Sequence, residues 1–229
     1  MESVKALAII PAYNEEGSVV QTVSRLKACL PEVDYIVIND GSIDNTRNLC
    51  VENGLNFIDL PVNLGLSAGF QTGMKYANDH GYDCAFQYDA DGQHVPDYIE
   101  PMIREMLASG SDIVIGSRYI TEKKQATPRM AGSRLIAFLI RVTTGKNLSD
   151  PTSGLRLYNK KMIERFAMEH DFGPEPDTIA YLIRKGAKVS EVQANMRDRE
   201  TGESYLTFSA SMKYMMRTLV SIMFVQWFR

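Results

Sequence analysis

The sequence predicts an α/β domain: a mainly parallel, Rossmann-like sheet flanked by helices, followed by an amphipathic helical tail. Three observations predict it. Short apolar runs alternate with amphipathic helical stretches through the first half, which is the pattern of βαβ units. Polar, glycine-bearing segments fall directly after those runs, where the carboxyl edge of a parallel sheet collects ligands. From Tyr205 to Arg229 the chain has no acidic residue, while Lys213, Arg217 and Arg229 are basic amid apolar bulk.

Taken in order, Ala6–Ile10 is a buried-strand run ended by Pro11, and Ser18–Leu30 is helical, with Val19, Val23 and Leu26 on one face. Tyr35–Ile38, Leu55–Leu60, Ala85–Tyr88 and Ile113–Ile115 repeat the strand signal. Asp44–Asn53, Leu66–His80 and Pro96–Ser109 supply the helices between them, the last with Ile99, Ile103 and Leu107 aligned. The second half is less regular. Arg129–Thr144 and Pro176–Lys185 read as helices, Gly154–Tyr158 and Val189–Ala194 as strands. Without a low-complexity linker or repeat, residues 1–204 are expected to form one domain. Its donor half covers about 1–118 and its acceptor half about 119–204, with 205–229 as a basic tail.

Composition sets outer limits. A chain of 229 residues with 45% hydrophobic and 23% charged content has ample core for a globular fold. A net charge of −3 leaves no basic excess to neutralise nucleic-acid phosphates, so nucleic acid is not an expected partner. Cys29, Cys50 and Cys84 are odd in number and widely spaced, which reads as reduced thiols and not a disulfide or zinc framework. Only a short apolar run precedes Asn14-Glu15-Glu16, so no secretory signal is expected and the chain is placed in the cytosol.

Four segments carry chemistry. Pro11-Ala12-Tyr13-Asn14-Glu15-Glu16 turns from strand to helix. Asn39-Asp40-Gly41-Ser42-Ile43-Asp44 follows the second strand, placing Asp40 within reach of a base or ribose. Asn63-Leu64-Gly65-Leu66-Ser67-Ala68-Gly69 opens a helix and could serve as a phosphate cradle, although it fits neither the P-loop nor the dinucleotide fingerprint. Asp89-Ala90-Asp91-Gly92-Gln93-His94 ends a strand with two carboxylates, hard oxygen donors suited to a divalent cation carrying a phosphate.

In this order the four segments resemble the family 2 glycosyltransferases, within them the dolichyl/polyprenyl-phosphate sugar synthases and related bacterial polysaccharide enzymes. Gly116-Ser117-Arg118-Tyr119 and Asp150-Pro151-Thr152-Ser153-Gly154-Leu155-Arg156 extend the likeness, which is good from about residue 5 to 160. The resemblance implies a GT-A fold, a nucleotide-sugar donor, Mg²⁺ or Mn²⁺, and inversion at the anomeric carbon. By position, Pro11, Ala12, Tyr13, Glu15 and Asp40 would hold the nucleoside, and Asp91, Asp89 and Gln93 the metal. Asp89 would lie nearer the nucleotide, and Arg118 would face the donor diphosphate or the acceptor's negative head. His94 is expected to support the loop or a phosphate.

The acceptor side forks. A phosphate acceptor is already a nucleophile at neutral pH, whereas a hydroxyl acceptor needs a carboxylate base. Glu175 and Asp177, in Phe172-Gly173-Pro174-Glu175-Pro176-Asp177, lie about where relatives that glycosylate hydroxyls carry that base; Asp177 could equally charge the first turn of a helix. Arg197-Asp198-Arg199-Glu200-Thr201-Gly202-Glu203-Ser204 resembles a basic loop that closes over phosphates in the polyprenyl-phosphate branch. Arg197 and Arg199 would be its donor-binding cations, although Tyr205 stands where a Lys is common.

The expectation is therefore an inverting, metal-dependent glycosyltransferase peripheral to the inner face of the cell membrane, acting in cell-surface polysaccharide synthesis. Its acceptor would be a lipid-linked saccharide or a polyprenyl phosphate. The tail would contact the membrane surface or a small membrane protein, with docking on the domain's own core as the alternative, and self-association stays open. The competing classes are a non-catalytic nucleotide-sugar-binding partner and a nucleotidyltransferase. The latter would need a Lys/Arg-bearing phosphate loop after the first strand, where this chain has Pro-Ala-Tyr-Asn-Glu-Glu.

Overall fold

A computed structural model describes residues 4–90, 94–121, 128–169, 172–195 and 208–225. The elements begin β1 (Ala6–Ala12), α1 (Val19–Cys29), β2 (Asp34–Asn39), α2 (Thr46–Glu52), β3 (Phe57–Asp59), α3 (Leu66–Asp79) and β4 (Cys84–Gln87). A 3-10 turn at Pro96–Tyr98 leads into α4 (Ile99–Ser109), β5 (Ile113–Ser117) and α5 (Pro128–Thr144). Then come β6 (Arg156–Asn159), α6 (Lys160–Met168), α7 (Pro176–Arg184), β7 (Val189–Gln193) and α8 (Phe208–Met223).

The strands form one sheet in the order β3-β2-β1-β4-β6-β5-β7. All neighbours are parallel except β6, which runs antiparallel to both β4 and β5. Side-chain alternation divides the core between the two faces. Leu7 and Ile9 of β1 pack with Phe70 and Met74 of α3 and with Phe166 and Ile179, whereas Ala8 and Ile10 pack with Val23 of α1 and Met102 of α4. Helix α3 lies close on the sheet because Gly73 faces Ile9: a Cβ there would come within 2.3 Å of the Ile9 side chain. Chain order reverses at β1, since β2 and β3 extend to one side and β4 to the other, leaving a crevice at the carboxyl ends of β1 and β4.

The first half matches the alternation read from the sequence. The second half adds a helix that reading did not contain. Helix α6 starts at Asn159, whose side chain accepts from the Met162 amide, and it buries Met162, Ile163 and Phe166. The tail also differs from a free appendage: α8 packs on α5 and α7, with Thr218, Ser221 and Ile222 buried. No helix among the described residues is long and apolar enough to cross a membrane.

Candidate active site

The turns after β1 and β2 are tied together. Asn14, in the left-handed region at φ 55°, receives a hydrogen bond from the Ile43 amide on its side chain and donates its own amide to Ser42 Oγ at 3.0 Å. The Glu15 amide donates to Thr46 Oγ1, the Glu16 amide to Asp44, and the Asn45 amide back to the Glu16 carboxylate. Partial burial of Asp44 works against its charge. Hydrogen bonds from the Thr46 hydroxyl and amide and from the Glu16 amide outweigh that and hold its pKa below the ordinary carboxylate value.

Beside these turns lies a cleft of about 340 Å³ lined by Pro11, Ala12, Tyr13, Glu15, Asp40 and Asp89, with Asn63, Gly65, Leu66 and Gln87 among its other walls. The nucleoside residues expected from the sequence, and Asp89, thus meet in one place at the crevice. Asp40 is buried, and its two oxygens accept from the Leu64 and Gly65 amides at 2.7 and 2.8 Å. Two amides of the supposed phosphate cradle are therefore spent on Asp40, and that loop acts as a wall of the cleft. Gly41, at φ 64°, makes this possible: a Cβ there would lie 2.4 Å from the Val62 carbonyl carbon.

Asp89 follows β4 and retains 30% side-chain exposure on the cleft. Its Oδ1 accepts from Gln87 Nε2, and His94 supports it from behind. The Asp89 amide donates to His94 Nδ1 at 3.0 Å, so that nitrogen is unprotonated and the ring proton sits on Nε2, 3.5 Å from Asp89 Oδ2. Gly154 backs onto both: a Cβ there would be 3.3 Å from Asp89 Oδ2 and 3.5 Å from His94 Nε2. A hard, partly exposed carboxylate facing this cleft is a suitable oxygen donor for a divalent cation. Asp91 and Gln93, the other expected ligands, lie outside the described residues, as do Arg197 and Arg199.

Arg118 is paired with a carboxylate of its own chain. Its Nε and Nη2 grip Asp150 at 2.6 and 3.0 Å, and it is absent from the cleft lining. Burial opposes its charge, but the paired carboxylate outweighs burial and raises its pKa. Asp150 is fully buried, and the Ser149 and Asp150 amides are held by the Glu191 carboxylate. The charge expected to face a phosphate is thus already compensated. The sequence shows the Asp150-Pro151-Thr152 segment without showing what it binds.

Glu175 and Asp177 stand at the start of α7, and Gly173 approaches Ser67 of α3 so closely that a Cβ would meet its hydroxyl at 2.2 Å. Glu175 is half-buried, whereas Asp177 is 9% exposed and accepts from Ser221 of α8 at 2.6 Å. Tyr214 of α8 reaches the same region: burial, with Glu175 and Asp177 nearby, pushes its hydroxyl pKa up. Gln87 was not singled out by sequence, and Asn63 and Leu66 entered only as members of the supposed phosphate cradle. Gln87 is the last residue of the strand that carries Asp89, which is the signal that could have found it.

Comparison with known proteins bears on the family and the fold. The chain is 31% identical over 215 residues to an undecaprenyl-phosphate mannosyltransferase of Micrococcus luteus, covering 89% of this chain and 88% of that one. It is 28% identical over 218 residues to a polyprenol monophosphomannose synthase of Mycolicibacterium smegmatis, covering 90% and 82%. The fold is similar to glucosyl-3-phosphoglycerate synthase of Mycobacterium tuberculosis in complex with Mn²⁺, UDP-glucose and phosphoglyceric acid. There the TM-score is 0.70 and the identity 17%, over 96% of this chain and 80% of that one. The family model described as glycosyl transferase family 2 matches residues 7–166, a span that includes every residue lining the cleft, and the chain belongs to that family.

Proposed function

We propose that this glycosyltransferase moves a sugar from a nucleoside diphosphate to a polyprenyl phosphate, with inversion at the anomeric carbon. An acceptor phosphate oxygen attacks C1 as the bond from C1 to the diphosphate breaks, and the bonding electron pair leaves with the diphosphate. Tyr13, Glu15 and Asp40 would border the nucleoside. Asp91, Asp89 and Gln93 would hold Mg²⁺ or Mn²⁺, which supplies positive charge against the departing diphosphate. Arg197 and Arg199 would add cations on the donor side.

The observation that carries the choice of acceptor is the sealed state of Asp177. A carboxylate buried under α8 and bonded to Ser221 is poorly placed to take a proton from an incoming hydroxyl, and a phosphate acceptor needs no base. The named functions of the two relatives point the same way. Half-buried Glu175 favours a second reading, a lipid-linked saccharide whose hydroxyl is deprotonated by Glu175. Transfer from a panel of nucleotide sugars to polyprenyl phosphate in detergent micelles separates them. Asp91→Asn should lower transfer by about a hundredfold or more with folding intact, because charge stabilisation of the leaving group is lost. Glu175→Gln should stay near wild type; a loss of about a hundredfold there would favour the hydroxyl reading.

A further inference from the structure

Two buried polar side chains stand opposite each other at the edge of the cleft, and neither has its hydrogen bonds filled. Gln87 follows Cys84, Ala85 and Phe86 at the end of β4 and is 3% exposed. Its Nε2 donates to Asp89 Oδ1 at 2.5 Å, whereas its Oε1 meets no donor among the described residues. Arg156, the first residue of β6, is 1% exposed. Its Nη2 donates to the Pro151 carbonyl at 2.8 Å, but Nε and Nη1 have no partner among the described residues. The antiparallel register pairs Ala85 with Tyr158 and Phe86 with Leu157, so its next step sets Gln87 opposite Arg156. Side chains alternate along both strands, which puts these two on the face that carries Ala85 and Tyr158.

Stability does not ask for either residue. An apolar side chain of similar volume in each place would remove an unmatched polar group from the interior. What the two do fix is a direction. With its NH2 toward Asp89, the Gln87 amide makes a short bond to an ionised carboxylate; turned over, it would set oxygen against oxygen. On the other side, a guanidinium favours an oxygen and opposes an NH2. Both neighbours therefore select the same orientation, the one that pins Asp89 Oδ1. Asp89 Oδ2 is bordered by His94 Nε2 and backed by Gly154. We infer that Gln87 is a positioning residue for the divalent cation: it aims the Asp89 carboxylate, and the Arg156 charge behind it keeps its amide from turning over. This rests on the reading of Asp89 as a carboxylate that holds the metal, and adds to it what holds Asp89.

The test reads Mn²⁺ binding to the full chain by electron paramagnetic resonance, with Mn²⁺ alone and with uridine, guanosine or deoxythymidine diphosphate. The thermal midpoint of the metal-free protein is measured beside it. Gln87→Met should weaken Mn²⁺ binding about ten- to a hundredfold, because the carboxylate loses the group that orients it. Its midpoint should stay at or above wild type, since a buried unpartnered oxygen is gone. Arg156→Met should weaken Mn²⁺ binding too, and Arg156→Lys, which keeps the charge, should lose less. A role in packing alone would do the reverse, lowering the midpoint and sparing the metal. Unchanged Mn²⁺ affinity in Gln87→Met, or equal losses in the two Arg156 variants, would overturn the inference. Asp89→Ala tells this failure from that of the metal site itself. If it binds Mn²⁺ as wild type does, or wild type binds none, the metal reading falls and the inference with it. If Asp89→Ala loses Mn²⁺ while Gln87→Met keeps it, only the positioning pair is rejected.

Discussion

Substituting Gly41 tests the claim that the cleft's shape depends on one close backbone approach. Gly41→Ala places a methyl at φ 64°, a left-handed conformation that costs a non-glycine residue about 1–2 kcal/mol. The same methyl would lie 2.4 Å from the Val62 carbonyl carbon and 2.5 Å from the Asn63 nitrogen, both backbone atoms that cannot rotate away. Overpacking of that kind adds about 1–3 kcal/mol, for a total of roughly 2–5 kcal/mol. Gly54 is the internal control: it has φ 59° and nothing within 4 Å of an added Cβ, so Gly54→Ala should cost only the conformational part, about 1–2 kcal/mol. Urea unfolding measures both. Displacing Val62 and Asn63 also moves the loop that Asp40 holds, so Gly41→Ala should weaken nucleotide binding in calorimetry at least about tenfold, and Gly54→Ala should not. Equal destabilisation by the two alanines, or unchanged nucleotide affinity in Gly41→Ala, would refute the reasoning.

Two further outcomes are expected. Cys29 is exposed, whereas burial raises the thiol pKa of Cys50 to about 11 and that of Cys84 to about 12; a thiol reagent at neutral pH should label one site quickly and the other two only on unfolding. Burial of Asp112 opposes its charge, but the Lys188 amide, Asn159 and Lys161 together hold its pKa below the ordinary value. Its contribution is therefore complete above the unfolded pKa of about 4 and is lost as pH falls through the folded value. Asp112→Asn should cost about 1–3 kcal/mol at neutral pH, with the gap to wild type closing under acid in chemical denaturation.

The donor half was legible because its signals are local. A strand's apolar run and the polar residues just after it fix a position at the sheet's edge, so Asp40 and Asp89 stood out from sequence, and the family resemblance added Tyr13 and Glu15. What was not legible depends on long-range pairing. No spacing rule tells that Arg118 meets Asp150, or that the amides of Leu64 and Gly65 are taken by Asp40. Helix α6 escaped because Asn159 caps it at the very end of a strand, leaving no turn residues between. The tail's helical pattern was plain, but which face docks is decided by α5 and α7, and Ser221 and Asp177 are 44 residues apart.

The cross-links between the turns after β1 and β2 have a thermodynamic consequence. Asn14, Glu15 and Glu16 are fastened to Ser42, Ile43, Asn45 and Thr46 by bonds that lie wholly within the chain. A nucleoside settling on that wall need not freeze a loop, so it avoids an ordering cost of about 0.5–1.5 kcal/mol for each side chain that would otherwise be immobilised. Affinity for the base and ribose should accordingly persist in bare nucleoside fragments, with an entropy of binding less unfavourable than that of a site that must assemble around its guest.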